Sequence, residues 1–236
     1  MKHIYTLTII SIILFSSCTD ALLGDQGKQD EDIYLNYQTK TDLELPFEGE
    51  WYVSVGGRTH AQGQHHFITR GTGQRYAYDM GKIVDDSYYS GNGGENEDTY
   101  TFGARLNAPG AGKIIALENN IDDNTRPGVL NDNIDNSNLG GNYIMIDHLN
   151  GEYSFLAHLK KGSIIVVVGD MVAKGQEIGQ AGNSGNSSGP HLHYHLQNSP
   201  NYLDAIGLPA QFTNYLKNDD PIDRGEPVQG QLVRKN

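Results

Sequence analysis

The stretch GNYIMIDHLNGEYSFLAHL, residues 141–159, decides the fold class of this chain. Two apolar runs flank Asn150-Gly151, and Asn-Gly is the dipeptide most typical of a tight turn between antiparallel strands. The stretch therefore predicts a β-hairpin. Further strands are predicted on both sides of it by the short apolar or alternating runs RYAYDM (75–80), KIIAL (113–117) and SIIVVV (163–168). Because no alternation of strands with helical patterns is visible, we expect an all-β fold, a compact antiparallel β-sandwich or curved sheet with long loops.

The composition narrows the class of partner. The chain has 236 residues, 29 glycines and a formal net charge of −12. This length suffices for one substantial core. The acidic balance, with no run of Lys and Arg, argues against a nucleic-acid partner, because phosphate binding needs clustered cations. The composition leaves the oligomeric state open.

The N-terminus has the pattern of an export signal. A positively charged start precedes the apolar run IYTLTIISIILF at 4–15, which is shorter than the roughly 20 residues that span a bilayer. Small residues then lead to Cys18, the only cysteine. This arrangement resembles a bacterial lipobox, and an ordinary secretory signal is the alternative. We predict a lipoprotein signal peptide at 1–17, a lipidated Cys18 that anchors the protein to a membrane, and a flexible polar tether at 18–45. The expected location is the cell envelope, in the periplasm or on the outer surface.

The octapeptide GPHLHYHL at 189–196 places three of the nine histidines at alternate positions. Alternate side chains of a strand share one face, so His191, His193 and His195 would point the same way, about 6.5–7 Å apart. Two such imidazoles can reach one metal ion or one reacting atom. The alternative is that all three face solvent.

Further candidate ligands lie upstream of this octapeptide. QHHFITRGTGQRYAYD (64–79) contains His65, His66 and Asp79, and FLAHL contains His158. Two histidines and a carboxylate suit a catalytic zinc ion, which takes three protein ligands and keeps one position for water. The helical motif H-E-x-x-H is absent. A cysteine nucleophile is excluded because the single cysteine lies at the predicted processing site.

Together, HH…QRYAYD, the hairpin at 141–159 and VGDMVAKGQEIGQAGNSGNSSGPHLHYHL resemble the lysostaphin/LytM-type zinc endopeptidases, which cut peptide crosslinks in bacterial cell walls. The resemblance runs from about Trp51 to about Phe212. It implies a small antiparallel β-structure with an active-site groove that holds one Zn²⁺. We assign the peptidase domain to 46–225 and a C-terminal tail to 226–236.

The resemblance also implies roles for individual residues. Asp79 and His193 match zinc ligands, and His158 and His191 match catalytic histidines beside the metal. One of these two would accept the proton of the zinc-bound water and the other would hydrogen-bond the developing oxyanion, in either assignment. His195 stands where relatives usually carry Glu or Gln, and we expect it to support the site rather than to ligate.

The first zinc ligand is ambiguous in the sequence. We prefer His66 to the adjacent His65, because His66 fits best by its distance from QRYAYD. Many family members have a tighter His-x-x-x-Asp spacing, so this chain has a longer loop at that point. The longer loop affects the prediction of the exact substrate more than the prediction of the metal.

The sequence therefore predicts a zinc-dependent endopeptidase that hydrolyses peptidoglycan stem-peptide crosslinks. The alternatives are a non-catalytic LytM-like domain that binds the wall or activates an amidase, and a zinc peptidase that acts on secreted proteins or glycine-rich peptides. The bond cleaved, a glycine bridge or a D-amino-acid crosslink, stays open. The long polar insertion at 118–141 is expected to be functional or mobile, and it could block the groove.

Overall fold

The computed structural model describes residues 34, 36–63, 73–201 and 204–236. Regular structure in these residues consists of β-strands and two short 3₁₀ helices, His60–Gln62 and Asn96–Asp98. The strands are β1 Trp51–Val55, β2 Tyr78–Lys82, β3 Arg105–Asn107, β4 Gly112–Glu118, β5 Asn142–Asp147, β6 Tyr153–Leu159, β7 Met171–Val172, β8 Glu177–Gln180, β9 Leu192–Gln197, β10 Gly207–Leu208, β11 Phe212–Lys217, β12 Asp220–Gly225 and β13 Leu232–Lys235. Within the described part of the chain, no helix has the length and apolar character needed to cross a membrane.

Most strands belong to one antiparallel sheet, in the order β12-β11-β13-β1-β2-β9-β6-β5-β4-β7. β10 extends this sheet by pairing with β9, and β3 and β8 form a separate two-stranded sheet. The prediction of an all-β, antiparallel fold is therefore confirmed. β5 and β6 form the expected hairpin, and Gly151 in its turn adopts φ 85°, a conformation that glycine reaches without strain.

Strand β9 lies between β2 and β6 and is buried along its whole length. Its register sets His193 opposite Asp79 of β2 on one side and Ala157 of β6 on the other. Leu192, Tyr194 and the other apolar side chains of β9 point into the main core. The opposite face of β9 therefore carries its polar side chains. The candidate site forms on this face, where β9 lies between β2 and β6.

The C-terminal part of the segment 18–45, which was predicted as a flexible tether, packs on the folded core. Leu43 and Leu45 are fully buried in the core, and the Leu43 carbonyl accepts a hydrogen bond from Thr213 N–H at 2.7 Å. The carboxylate of the buried Glu152 accepts the backbone N–H groups of Lys40 at 2.7 Å and Thr41 at 2.8 Å. Because the segment is polar overall, its two core leucines do not stand out in the sequence. The folded domain therefore begins before residue 46.

The predicted C-terminal tail is also part of the fold. β13 lies between β11 and β1 in the sheet, and Val233 is fully buried. The domain boundaries of 46–225 are therefore too narrow at both ends. The predicted signal peptide and Cys18 lie outside the described residues.

The apolar run at 163–168 does not form the predicted strand. Ile164 and Val166 are buried, whereas Ile165 and Val167 are exposed. One backbone hydrogen bond, from Ile165 N–H to the Ile178 carbonyl at 3.2 Å, joins the run to β8. The alternation of side chains is that of a strand, but the ladder of backbone hydrogen bonds that defines a strand does not form.

Candidate metal and catalytic site

Asp79 and His193 form the centre of the candidate site. They are register partners on β2 and β9, and Asp79 Oδ1 lies 2.8 Å from His193 Nδ1. The same carboxylate oxygen lies 3.6 Å from Nε2 of His191, which immediately precedes β9. One carboxylate therefore contacts both histidines of the His-x-His pair.

His158 completes the cluster from β6. It is one of few non-glycine residues in the left-handed region, with φ 60°, a conformation that costs about 1–3 kcal/mol. Its N–H donates to the Gly140 carbonyl at 3.0 Å, and its carbonyl accepts from Gly182 N–H at 3.0 Å. These bonds hold the strained backbone and bring its ring to 4.7 Å from the ring of His191, between centroids.

Backbone carbonyls determine which nitrogen of two rings carries the proton. His158 Nδ1 lies 2.8 Å from the Ser184 carbonyl, and His191 Nδ1 lies 2.9 Å from the Gly189 carbonyl. A carbonyl only accepts, so each Nδ1 must donate its proton. In the neutral ring this leaves Nε2 of both His158 and His191 with a free electron pair.

The pKa values of the cluster are displaced in opposite directions. Burial, followed by the nearby His191 and His193, lowers the pKa of His158 well below its usual range. For His191, burial acts to lower the pKa, but the interactions with Asp79 outweigh it and the pKa is raised. Burial likewise acts to raise the pKa of Asp79, yet His191 and His193 hold it well below its usual range. A neutral His158 thus lies beside an ionised carboxylate.

The insertion at 118–141 packs against the loop that supplies these carbonyls. Asn124, which is buried, donates from Nδ2 to the carbonyls of Gly185 at 2.9 Å and Ser187 at 3.0 Å. Asp123 Oδ1 accepts the N–H of Asn183 at 2.7 Å. The backbone carbonyls of this loop have no signal in side-chain patterns, so sequence reasoning could not identify their part in the site.

The structure brings together four of the five residues predicted to act: Asp79, His158, His191 and His193. The fifth, His66, lies outside the described residues, as does its alternative His65. The position four residues before Asp79 is Arg75, whose guanidinium is always charged and cannot ligate a metal. A ligand from the upstream segment must therefore come from elsewhere than the His-x-x-x-Asp position.

The donor set suits a metal ion. His158, His191 and His193 offer ligand nitrogens that all lie within 4.8 Å of one another. Imidazole nitrogens with one carboxylate are the donors that zinc prefers over magnesium or calcium. By contrast, His148 bonds the Ala111 carbonyl at 2.8 Å and Ser154 Oγ at 2.7 Å, so it stabilises the hairpin rather than the site.

Comparison with known proteins points to one family. Residues 100–205 match the model of Peptidase family M23. Peptidoglycan DD-endopeptidase ShyA of Vibrio cholerae serotype O1 is 48% identical over 56 residues, which are 24% of this chain and 13% of that protein. The chain thus spans only a small part of the curated relative that it matches.

Two solved structures are similar to this chain at a lower sequence identity. A zinc containing peptidase from Vibrio cholerae aligns at 19% identity and a TM-score of 0.42, over 72% of this chain and 40% of that chain. Lysostaphin from Staphylococcus simulans aligns at 20% identity and a TM-score of 0.39, over 72% of this chain and 52% of that chain. The span that matches the Peptidase family M23 model includes three members of the histidine cluster, His158, His191 and His193.

Proposed function

We propose that this protein is a zinc-dependent endopeptidase that hydrolyses peptide crosslinks of bacterial peptidoglycan. One observation carries the proposal. His158 and His191, each oriented by a backbone carbonyl, lie beside the paired Asp79 and His193. A non-catalytic wall-binding or amidase-activating domain would not need two histidines held in this way.

Asp79 and His193, with His66 as the third ligand, would hold the metal. Bound zinc supplies a water of lowered pKa and polarises the scissile carbonyl. The electron pair on Nε2 of His158 or His191 can accept a proton from the attacking water and return it to the leaving amine. The other ring then hydrogen-bonds the oxygen on which negative charge develops.

The name of the matched relative, a peptidoglycan DD-endopeptidase, favours a crosslink between D-amino acids over a glycine bridge. We place the protein in the cell envelope, exported and anchored through lipidated Cys18. This placement is supported by the small residues before Cys18 and by the apolar run at 4–15.

Digestion of crosslinked peptidoglycan tests the proposal. Purified protein is stripped of metal with a chelator, resupplied with zinc and incubated with the polymer, and the released muropeptides are identified by mass spectrometry. We expect crosslinked dimers to disappear only with zinc. His193→Ala should abolish cleavage, whereas His148→Gln, which removes a buried histidine away from the cluster, should keep it.

A folded, zinc-loaded protein that leaves the dimers intact would contradict the hydrolase and favour the wall-binding alternative. Cleavage of glycine bridges instead of D-amino-acid crosslinks would contradict only the substrate assignment.

A further inference from the structure

A chain of buried polar side chains continues along β9 beyond the candidate site. His193, His195 and Gln197 share one face of the strand, and His195 and Gln197 are fully buried. His193 Nε2 lies 3.2 Å from His195 Nδ1, and His195 Nε2 lies 2.8 Å from Gln197 Oε1. Gln197 Nε2 donates to the Ser199 carbonyl at 2.7 Å. These contacts form a continuous relay from a backbone carbonyl to the site.

The Ser199 carbonyl sets the direction of every hydrogen bond in this relay. It can only accept, so the amide nitrogen of Gln197 faces it and the amide oxygen faces His195. That oxygen must receive a proton from His195 Nε2. A neutral His195 then carries its electron pair on Nδ1, and this pair accepts the proton of His193 Nε2.

The relay therefore keeps a proton on Nε2 of His193, the nitrogen that faces away from Asp79. With a proton kept on Nε2, Nδ1 is the atom that can bind a metal, and it lies 2.8 Å from Asp79 Oδ1. A metal ion that contacts both atoms would offset the repulsion between this electron pair and the carboxylate oxygen. Resting on the function proposed above, we propose that His195 and Gln197 are positioning residues, which hold His193 with Nδ1 as its metal-binding nitrogen.

The surroundings of the relay make its direction hard to reverse. The ring of Phe155 stacks on His195 at 4.9 Å between centroids, and Met145 Sδ lies 3.9 Å from Gln197 Nε2. A polar group in such an apolar setting is stable only while it keeps its hydrogen bonds. Turning the Gln197 amide around would leave its Oε1 facing the Ser199 carbonyl, and moving the His195 proton to Nδ1 would leave His195 Nε2 facing Gln197 Oε1 as two acceptors.

Zinc affinity of the full chain tests the proposal by a measurement independent of cleavage. The zinc dissociation constant is measured at one pH by competition with a chromophoric chelator. His195→Leu removes the acceptor for His193 and should weaken zinc binding about 10- to 100-fold, the usual effect of losing a residue that orients a ligand. His195→Asn should restore most of the affinity, because its Oδ1 can take the place of the lost Nδ1.

A merely structural His195 would give a different result. Folded His195→Leu protein with unchanged zinc affinity would overturn the proposal, as would His195→Asn protein that binds zinc no better than His195→Leu. If His195→Leu does not fold, Gln197→Met, which removes the amide of Gln197 at similar volume, should show the weakened affinity instead.

Imidazole ¹⁵N spectra of the unsubstituted, zinc-loaded protein test the same point without a mutation. We expect the proton on Nε2 of both His193 and His195. A proton on Nδ1 of either ring would overturn the relay. Zinc binding with these signatures but without crosslink cleavage would refute the proposed activity and leave the relay intact, so the two failures are distinguishable.

Discussion

At the scale of single residues, His158 shows how conformation and chemistry combine. Its left-handed backbone aims the ring at His191 and His193, and the Ser184 carbonyl holds its proton on the far nitrogen. His158 thus has a strained backbone conformation and also a proposed role in catalysis. Replacing it by two different small residues separates the strain from the chemistry.

We predict that His158→Ala and His158→Gly both lower kcat for crosslink cleavage by about 10²- to 10⁴-fold, the usual contribution of a general acid or base. The glycine variant should be the more stable of the two by up to about 1 kcal/mol, because only glycine adopts positive φ without strain. Muropeptide kinetics and thermal unfolding measure the two effects. An alanine variant at least as stable as the glycine variant would contradict the backbone argument.

Glu152 is a buried carboxylate outside the site. Burial acts to raise its pKa, but hydrogen bonds from the Lys40 backbone, from Thr41 and from the Tyr37 hydroxyl outweigh burial and lower it. A carboxyl whose pKa is lower in the folded state stabilises that state above its unfolded pKa, and the contribution is lost as pH falls through the folded pKa.

We therefore expect Glu152→Gln to reduce the melting temperature most at neutral pH, with the difference from the unsubstituted protein shrinking below about pH 4. Thermal unfolding from pH 7 to pH 3 measures this dependence. Glu97→Gln, at an exposed position, serves as the control and should have little effect at any pH. A Glu152→Gln deficit that is constant with pH would rule out the linkage.

At the scale of elements, the loop at 183–189 depends on a buried set of asparagines. Asn183 Nδ2 donates to Asn96 Oδ1 at 2.9 Å, Asn96 Nδ2 donates to the Asn124 carbonyl at 2.7 Å, and Asn124 in turn donates to the carbonyls of Gly185 and Ser187. The insertion is thus a support for the loop that orients His158 and His191. This arrangement argues against an insertion that acts only as a mobile cover.

We predict that Asn124→Ala destabilises the protein by about 1–3 kcal/mol, the effect of removing the side-chain donor to the buried Ser187 carbonyl. It should also lower kcat, because the Ser184 and Gly189 carbonyls lose their support. Asn138→Ala is the matched control, since Asn138 Nδ2 donates to the Asn133 carbonyl at 2.8 Å within the exposed part of the same insertion. Equal loss of activity in both variants would contradict the supporting role.

At the scale of the whole molecule, residues just outside the predicted domain of 46–225 complete the sheet and the core on both sides. Leu43 and Leu45 fill the core from the N-terminal side, and β13 joins β11 to β1 from the C-terminal side. The molecule therefore tolerates less shortening than the predicted tether and tail indicate.

We expect a chain that begins at Tyr34, and so keeps the hydrogen bond from the Tyr37 hydroxyl to Glu152, to retain the melting temperature of the full protein, and a chain that begins at Pro46 to lose stability. Each of the two buried leucines contributes about 1.5–3 kcal/mol, and Glu152 would lose its backbone donors. Deletion of 226–236 should prevent folding, because it removes a strand from inside the sheet. Thermal unfolding of the three shortened chains checks this expectation, and full stability of the chain from Pro46 would contradict it.

Sequence alone determined the all-β class and the hairpin at 141–159, because the Asn-Gly turn and the alternation of apolar residues are local signals. It also singled out Asp79, His158, His191 and His193 as candidates. Their roles as ligand or catalyst stay predictions.

Only the tertiary structure decided how these residues meet. The register that sets Asp79 opposite His193, the left-handed conformation of His158 and the carbonyls of Ser184 and Gly189 all depend on contacts between distant segments. The same is true of Leu43, whose carbonyl accepts a hydrogen bond from Thr213, 170 residues along the chain, and of β13, whose Val233 pairs with Trp51 of β1. Local composition cannot encode such contacts, because their energy comes from burial and hydrogen bonds that exist only after the chain has folded.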